Sequence, residues 1–492
     1  MSSAELLALA PFAGVVGLAI AVVVLDIIRP GADRLIGLLA GFGLLFVLAV
    51  TLYAGGPGTG VFGGVYVRDA LTYFLDLLFL VIALLTVLFA PDYLRPRRLP
   101  MAEFCATLLF AISGAMLIGG SRDLLVLFLG LELLVLPGYM LAGYAKRDGL
   151  STEGAIKYFL LGSFSSAIFL FGLAFTWGYT GTTSVAGVAA VLEGQSTVSL
   201  SAGLAMGLAL LTAGVAFKIA AVPFHYWTPD AYQGAPTPVT GYLSVGPKVA
   251  AFALILRLFV EALGPLKADW VGAIVILAAL TMTLGNLVAL TQDNIKRMLA
   301  YSSIAHTGYI LVGLAAFAGA AAGSPAERAG LEGLLFYSAA YVFMNLGAFA
   351  VVAALQGRTG VTSQISTFAG LGRRAPLAGA LMTLFLLSLT GIPPTAGFFG
   401  KAYVILAAVQ AGGWVSVLAV IAVLNAAVAA FYYLRVVVWM YMREAPADAQ
   451  PLTQSWPMRT GLALAALGTV VIGLLPGVII PGAQAAAQAL LH

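Results

Sequence analysis

Four ionisable side chains interrupt long apolar runs: Glu132 in FLGLELLVLP, Lys218 in AFKIAAVP, Lys248 in VGPKV and Lys401 in GFFGK. Even on the more permissive insertion scale, a Lys or Asp at the centre of a bilayer costs about 2.5–3.5 kcal/mol. The proton affinity of a lysine in such a medium depends on its burial and on its distance from a carboxylate. A change in the separation of Glu132 and Lys218 could therefore drive a proton off Lys218, so these residues suit a proton relay.

A structural role stays open for each lysine, because a long side chain can reach toward the membrane surface or form a static ion pair. His225 and His306 are weaker candidates, since histidine titrates near neutral pH and suits a relay. His306 is explained equally well as a buried ring held by neighbouring hydroxyl groups. Lys157 is a further weak candidate, whereas Asp76, inside an apolar run, better fits a structural hydrogen-bonding role.

Two proline- and glycine-rich stretches interrupt the apolar runs beside two of the lysines: residues 223–238 (PFHYWTPDAYQGAPTP) and residues 391–397 (GIPPTAG). Proline removes a backbone donor and clashes with the preceding helical turn. Irregular backbone at membrane depth is tolerated only where it is buried in protein or lines a water-filled cavity. We therefore expect broken helices next to Lys218 and Lys401, with an ordinary re-entrant loop as the alternative for the first stretch.

The composition indicates a chain that is surrounded by lipid. Hydrophobic residues make up 61% of the 492 residues and charged residues 9%, with a mean hydropathy of +1.03, whereas soluble proteins carry roughly 25% charged residues. The apolar runs do not alternate, which argues against a transmembrane barrel. We expect an all-α polytopic membrane protein with about fourteen transmembrane helices. The predicted spans are roughly 5–28, 35–54, 70–90, 102–119, 124–145, 155–180, 201–222, 239–262, 269–290, 298–318, 331–355, 376–411, 414–442 and 459–481.

A weak internal repeat relates the two halves of the chain. Gly138 and Tyr139 recur as Gly308 and Tyr309, and the Glu-Gly pair that opens the sixth span, at 153–154, recurs at 332–333 in the eleventh. A unit of five helices would place the two copies inverted in the membrane, which is a transporter architecture. On its own this similarity is weak, because a few shared residues among apolar helices can arise by chance.

Several other classes of function are disfavoured. The single cysteine, Cys105, excludes an internal disulfide and a cysteine-built metal centre. The sequence has no phosphate-binding loop and no glycine fingerprint after a strand, so we expect no cofactor or metal on this chain. The basic residues are scattered in short loops, which does not favour nucleic-acid binding. The first apolar run is too long for a signal peptide and follows no basic region, so we interpret it as the first membrane helix.

The distribution of lysine and arginine predicts the orientation. With the N-terminus outside, the cytoplasmic loops hold fourteen basic residues and the outer side holds five, which agrees with the positive-inside rule. Both termini would then lie on the outer side of the membrane. The cytoplasmic set is Arg29, Arg34, Arg95, Arg97, Arg98, Lys146, Arg147, Lys296, Arg297, Arg358, Arg373, Arg374, Arg443 and Arg459, and the outer set is Arg68, Arg122, Arg257, Lys267 and Arg328.

The motif around the first break resembles a known family. Residues 218–238 look like the seventh-to-eighth helix region of the antiporter-like subunits of respiratory complex I, and the continuation LSVGPK at 243–248 is similar to the subunit N family. Residues 294–309 (NIKRMLAYSSIAHTGY), 153–163 (EGAIKYFLLGS) and 391–401 are similarly close. The resemblance covers roughly residues 65–445, and the first three spans fit the bacterial form.

The resemblance implies a proton-translocating membrane subunit of a bacterial NADH-quinone oxidoreductase. It implies an N-terminal three-helix segment (1–100), a first inverted repeat with helices 4–8 (101–265), a second with helices 9–13 (266–443) and helix 14 (444–492), with helices 7 and 12 broken. It implies that Glu132 pairs with Lys218, that Lys248 is a central relay and that Lys401 serves the exit half; Lys157 also matches a position typical of the family. It further implies partners, namely the adjacent antiporter-like subunit M and small membrane subunits. NADH, FMN, iron–sulfur clusters and quinone would all be bound by partner subunits.

Two other interpretations stay open at this point. A subunit of a multi-subunit sodium/proton antiporter would share the glutamate and lysine pattern, although His225, Trp227 and the GAPTP motif at 234–238 look more like subunit N. A solute transporter would use the charges to bind an anionic substrate, but no outer loop is rich in binding residues.

Overall fold

The fold is all-α, as the composition predicts. The computed structural model describes residues 1–194, 201–357, 362–445, 452 and 454–491, so Arg358, counted above among the cytoplasmic residues, lies outside the described residues. The described helices are α1 Ser3–Ile28, α2 Asp33–Ala54, α3 Ala70–Leu94, α4 Met101–Gly120, α5 Leu124–Ala142, α6 Gly149–Thr180, α7 Val185–Glu193, α8 Ala202–Lys218, α9 Trp227–Gly234, α10 Thr237–Ile255, α11 Lys267–Ala289, α12 Ile295–Gly319, α13 Pro325–Leu355, α14 Leu371–Arg374, α15 Pro376–Thr390, α16 Ala396–Ala411, α17 Val417–Met442, α18 Trp456–Leu474 and α19 Ile480–Gln488.

The predicted count of about fourteen spans is confirmed, and two of the spans are each formed by two shorter helices. Within the described residues, twelve helices are long and apolar enough to cross a membrane. The seventh predicted span is the shorter α8 followed by α9, and the twelfth is α15 followed by α16. The short helices α7 and α19 carried no periodic signal strong enough to predict them; α19 packs on α3 and α13.

Both breaks lie where the proline and glycine residues predict them. The first separates α8 from α9 over residues 219–226, and the second separates α15 from α16 over residues 391–395. Gly391 ends α15 with φ of +91°, a left-handed conformation that a side chain would disfavour. A cis peptide bond precedes Pro223 in the first break and Pro394 in the second. The alternative of an unbroken seventh helix with a simple re-entrant loop after it is therefore not needed.

The two five-helix units share the same packing scheme. In the first unit α4 packs on α5, and α6 packs on α8 and α9; in the second, α11 packs on α12, and α13 packs on α15 and α16. Asp123 caps α5 by accepting from two backbone amides, and Asn294 caps α12 in the same way. Leu124 N donates to Thr183 O over 2.8 Å, and Ile295 N donates to Ser363 O over 2.7 Å. The same caps and backbone hydrogen bonds therefore occur in both units, which the short sequence repeat alone could not establish.

Close approach of helices within each unit depends on glycine. An added Cβ on Gly285 of α11 would lie 2.7 Å from the backbone nitrogen of Ala305 on α12, so only glycine fits there. Small residues allow such approach in membranes, where burial of apolar area does not favour protein over lipid. The helix pair that carries part of the site is thus fixed by backbone-to-backbone packing.

Buried ion pairs tie the N-terminal segment to the first unit. A hairpin of β1 Thr59–Val61 and β2 Tyr66–Arg68 precedes α3. Arg68 Nη1 lies 2.8 Å from Asp76 Oδ2, with both side chains fully buried, so the geometry fits the structural role expected for Asp76. Arg257 Nη2 lies 2.9 Å from Asp69 Oδ2. Arg68 and Arg257 were counted among the basic residues of the outer side. Both guanidinium groups are instead buried and paired inside the protein.

Candidate functional site

Lys218 is the last residue of α8 and lies at the first break. Its side chain is 7% exposed, and Nζ donates to Ser166 Oγ on α6 over 2.8 Å. A cavity of about 10 Å³ adjoins it, lined in part by Tyr158, Phe217, Trp227 and Pro247. That volume is about what one water molecule needs. The ammonium group is therefore held by a hydroxyl beside room for a single water.

Glu132 lies on the neighbouring helix α5 but does not touch Lys218. Its Oε1 is buried and has no hydrogen-bond partner within the described part of the chain, and Lys218 is hydrogen-bonded to Ser166 instead. The predicted direct pair is thus not formed in this conformation, and a one-water link stays a prediction. A carboxylate oxygen without a partner has capacity for such a water.

Lys248 lies in the middle of α10, where every residue from Thr237 to Ile255 is buried. Its Nζ donates to Ser303 O over 2.6 Å and to Thr307 Oγ1 over 2.9 Å, both on α12. Thr307 Oγ1 in turn donates to Ile219 O, the residue after Lys218, over 2.9 Å. One hydroxyl therefore connects the central lysine of the first unit, the first helix break and the second unit.

His306 continues the polar contacts on α12 away from Lys248. Its Nδ1 lies 2.9 Å from the hydroxyl of Tyr337 on α13, and its Nε2 lies 3.2 Å from the hydroxyl of Tyr433 on α17. Tyr433 also hydrogen-bonds Ser302. Both ring nitrogens are therefore engaged, and the two interpretations of His306 become compatible: a ring held by hydroxyl groups can also pass a proton along them.

Lys401 belongs to α16 and reaches back across the second break. Its Nζ donates to Leu389 O over 3.0 Å and to Thr390 O over 2.7 Å, the last carbonyls of α15. It also lies 4.7 Å from the ring centre of Tyr309, a distance at which cation–π attraction operates. His306 and Tyr309 have ring centres 5.9 Å apart, so the polar series on α12 leads toward Lys401.

The two break lysines share one electrostatic arrangement. Each places an ammonium group at the carboxyl end of the first half-helix: Lys218 as the final residue of α8, Lys401 by bonding the final carbonyls of α15. Unpaired carbonyls give a helix C-terminus a partial negative charge that favours a cation. Each break thus offers a lysine a favourable position for its charge within an otherwise apolar region.

Lys157 and His225 stand apart from this buried series. Lys157 is 42% exposed and pairs with Glu153 at 2.6 Å and with Asp230 at 2.7 Å. Asp230 also lies 2.6 Å from Arg297, so the cluster joins α6, α9 and α12. His225 is buried in the first break, and its Nδ1 has no hydrogen-bond partner among the described residues. Neither residue contacts Lys218, Lys248 or Lys401.

Sequence reasoning missed the residues that connect the charged ones. Ser303, Thr307, Tyr337 and Tyr433 were not singled out, because hydroxyl residues are common in membrane helices. A signal was present: Ser302, Ser303, His306 and Thr307 lie at i, i+1, i+4 and i+5, which is one face of a helix. Lys296, assigned to a loop, is 3% exposed and donates to the carbonyls of Gln233 and Ala235 at the end of α9.

Known families and proteins match this chain over the region that contains the charged residues. A family model described as "NADH:quinone oxidoreductase/Mrp antiporter, TM" matches residues 121–425, which contain all four charged residues of the series. NADH-quinone oxidoreductase subunit N of Trichlorobacter lovleyi is 42% identical over 475 residues, covering 96% of this chain and 94% of that protein. No metal-ligand group of three or more His, Cys, Asp or Glu occurs in the described ranges.

Solved structures agree in fold and differ in sequence. A chain of respiratory complex I from Thermus thermophilus with bound Aureothin superposes with a TM-score of 0.79 at 33% identity, covering 96% of this chain and 98% of that one. A chain of the Mrp complex from Dietzia sp. gives a TM-score of 0.84 at 21% identity, covering 100% and 98%, which shows the shared fold alone. Since a relative with that name is 42% identical over 96% of this chain and the family model covers residues 121–425, this protein belongs to the NADH-quinone oxidoreductase subunit N family.

Proposed function

We propose that this chain moves protons through the membrane arm of a NADH-quinone oxidoreductase, using Glu132, Lys218, Lys248 and Lys401. The observation that carries the proposal is the position of Lys248. Its ammonium group contacts α12 through Ser303 and Thr307, and Thr307 bonds the first break at Ile219. A lysine of the first unit that bonds the second unit, through a hydroxyl that also bonds the first break, is placed to exchange a proton with each half.

The proton would pass in short steps between neighbouring carboxylate, ammonium, hydroxyl and imidazole groups. Glu132 sets the stability of the charge on Lys218, and a water between them would shorten the gap. From Lys248 the hydroxyls and the His306 ring lead toward Lys401. Because like charges repel, a proton arriving on one lysine makes protonation of the next less favourable. Such repulsion would move a proton onward when the first site is refilled.

The other subunits of the complex would supply the redox cofactors and the neighbouring protein surfaces. We infer that NADH, FMN, iron–sulfur clusters and quinone are held by partner subunits, that subunit M and small membrane subunits pack beside this one, and that the surrounding lipid belongs to a bacterial inner membrane. Relatives named subunit N support membership of that complex. The unit boundaries at residues 100, 265 and 443, and the outer location of both termini, belong to the same proposal.

The test is Lys248→Met in the assembled complex. Methionine keeps length and apolar bulk but cannot hold the proton, so proton pumping in liposomes should fall by about tenfold or more, and quinone reduction should fall with it. Lys248→Arg should fail as well, since arginine hardly ever releases a proton. The matched control is Lys146→Met on an exposed loop, which should pump normally. Normal pumping by fully assembled Lys248→Met would refute the proposal.

A sodium/proton antiporter subunit is the second candidate, because the fold is shared with the Mrp chain. The two functions differ in their dependence on the ion. Activity that requires sodium, in membranes lacking NADH-quinone oxidoreductase partners, would favour the antiporter. Pumping that depends on NADH and is unchanged by sodium favours the first proposal.

A further inference from the structure

An apolar groove runs between α2 and α18. It has a volume of about 430 Å³, and α3 packs against both flanking helices. Leu38, Phe42 and Leu45 line it from α2, Leu84 and Leu88 from α3. No residue of the proton series lines this groove, so it requires a separate explanation.

Arginines gather at one end of the groove. Arg34 and Arg95 line it, and both also line an adjoining depression that includes Arg29. All three side chains are exposed, and in the part of the chain that the structure describes none has a hydrogen bond or ion pair. Asp33 lines the depression too, but its Oδ1 accepts from the backbone nitrogen of Met101. The polar end therefore carries three guanidinium groups with free donors.

The ends of the helices place these arginines at one membrane surface. Arg34 begins α2, Arg95 follows the end of α3, and Trp456 begins α18. Tryptophan is enriched at the membrane–water interface. From Arg34 to Leu45 the helix rises about 16 Å, which is close to half of the roughly 30 Å hydrocarbon core. The groove thus has a headgroup end and the depth of one lipid leaflet.

We propose that this groove is a binding site for one anionic membrane phospholipid, with its phosphate on the arginines and an acyl chain between α2 and α18. Guanidinium forks match phosphate oxygens in a bidentate manner, which supplies the charge complementarity. Gly37 and Gly41 leave the groove open: a Cβ on Gly41 would meet nothing within 4 Å, and one on Gly37 only Met101 Cε at 3.8 Å. The small residues create space that no side chain of the described chain fills.

The experiment uses the purified complex in nanodiscs with photoactivatable acyl-chain analogues of phosphatidylglycerol or phosphatidylcholine. Adducts are mapped by mass spectrometry to residues 34–45 and 84–95 of this chain. The anionic analogue should label the groove at least tenfold more than the zwitterionic one, and each arginine changed to glutamine should reduce that preference by about fivefold. Arg373→Gln, which removes an exposed arginine elsewhere, should leave the preference unchanged.

A second variant tests the apolar part. Gly41→Leu fills the groove without meeting the chain and should abolish labelling there, whereas Gly17→Leu, whose Cβ also meets nothing within 4 Å, should not. A photo-crosslinker replacing Leu45 should attach to lipid. Equal labelling by both analogues, labelling that survives both Gly41→Leu and loss of all three arginines, or a crosslink from position 45 to a neighbouring polypeptide would overturn the assignment.

Discussion

The unpartnered carboxylate oxygen of Glu132 is the residue-scale feature that most directly bears on transport. Among the residues that the structure describes, none hydrogen-bonds the buried Oε1, while Lys218 is bonded to Ser166. A buried acceptor left unsatisfied costs about 1–3 kcal/mol. Approach of Lys218 or of a water to Glu132 would remove that cost.

Glu132→Gln should therefore impair transport more than assembly. The amide keeps the shape of the side chain but removes the charge that acts on Lys218, and we expect proton pumping per assembled complex to fall by about tenfold. The measurement is pumping in liposomes against complex content. A matched control is Glu193→Gln, an exposed glutamate at the end of α7. Unchanged pumping with Glu132→Gln would mean that the carboxylate charge has no part in transfer.

The sequence could identify the charged residues of the site because each is costly in lipid and stands alone in an apolar run. It could not identify what joins them. Tyr337 and Tyr433 come from α13 and α17, and only the fold brings their hydroxyls to His306. Lys296 was misplaced for a related reason: a lysine near a helix start reads as a loop charge unless its carbonyl partners on α9 are known.

At the scale of elements, close helix contact should be sensitive to a single methyl group. Gly285→Ala would place Cβ 2.7 Å from Ala305 N, and such overpacking costs about 1–3 kcal/mol. We expect less of the chain to be incorporated into the complex, measured by immunoblot of purified complex. Gly17→Ala, on a surface open to lipid, is the control. Equal incorporation of both variants would show that α11 and α12 can separate at no cost.

Broken helices were the elements best predicted from sequence, since proline and glycine act on the backbone locally. The exact ends were less predictable: the seventh span was expected to reach 222, but α8 ends at Lys218. The reason is that Ile219 to Val222 are apolar and continue the pattern, whereas the chain turns there around Ala220, whose φ is +57°. Hydropathy indicates whether a segment is apolar enough to lie in lipid, and it does not detect such a turn.

At the scale of the whole molecule, the pair of Asp69 and Arg257 should control how the N-terminal segment is held. Burial alone would raise the pKa of Asp69, but Arg257 and hydrogen bonds from Thr72 outweigh it, so the pKa lies below the ordinary aspartate value. The ionised carboxylate is thus favoured in the folded protein. Its stabilising contribution is complete above the ordinary value near 4 and is lost as pH falls through the lower folded pKa.

Arg257→Met removes the buried partner of two carboxylates, Asp69 and Glu261. Of the ion pairs at these carboxylates, it leaves only the longer ones to the partly exposed Arg122, at 3.4 and 3.2 Å. Removing one member of a buried pair costs about 3–5 kcal/mol, so the variant should inactivate faster on heating at pH 7. Asp69→Asn should also be destabilised at pH 7, and should lose less further stability than the parent as the pH is lowered from 4 through the folded pKa of Asp69. Half-lives of activity across that pH range test both. Parent-like half-lives would show that the pair is dispensable.

The orientation of the whole chain is a separate prediction. With the N-terminus outside, a membrane-impermeant thiol reagent applied from the cytoplasmic side should label Arg147→Cys and should not label Arg328→Cys. Both positions are exposed, so accessibility in the fold does not bias the result, and the native Cys105 is buried. The reverse labelling pattern would refute the orientation. The distribution of lysine and arginine alone predicts this orientation.

The cap of α12 and the polar face of the helix together fix the number of residues that must lie between them. Asn294 anchors the start of the helix, and Ser302, Ser303, His306 and Thr307 follow on one face. A helix turns about 100° per residue, so one inserted residue after the cap would rotate Ser303 and Thr307 away from Lys248 and His306 away from Tyr337. Over evolution this stretch should accept exchanges of apolar residues while excluding gaps, and an alignment of relatives should therefore show constant spacing here even where identity is low.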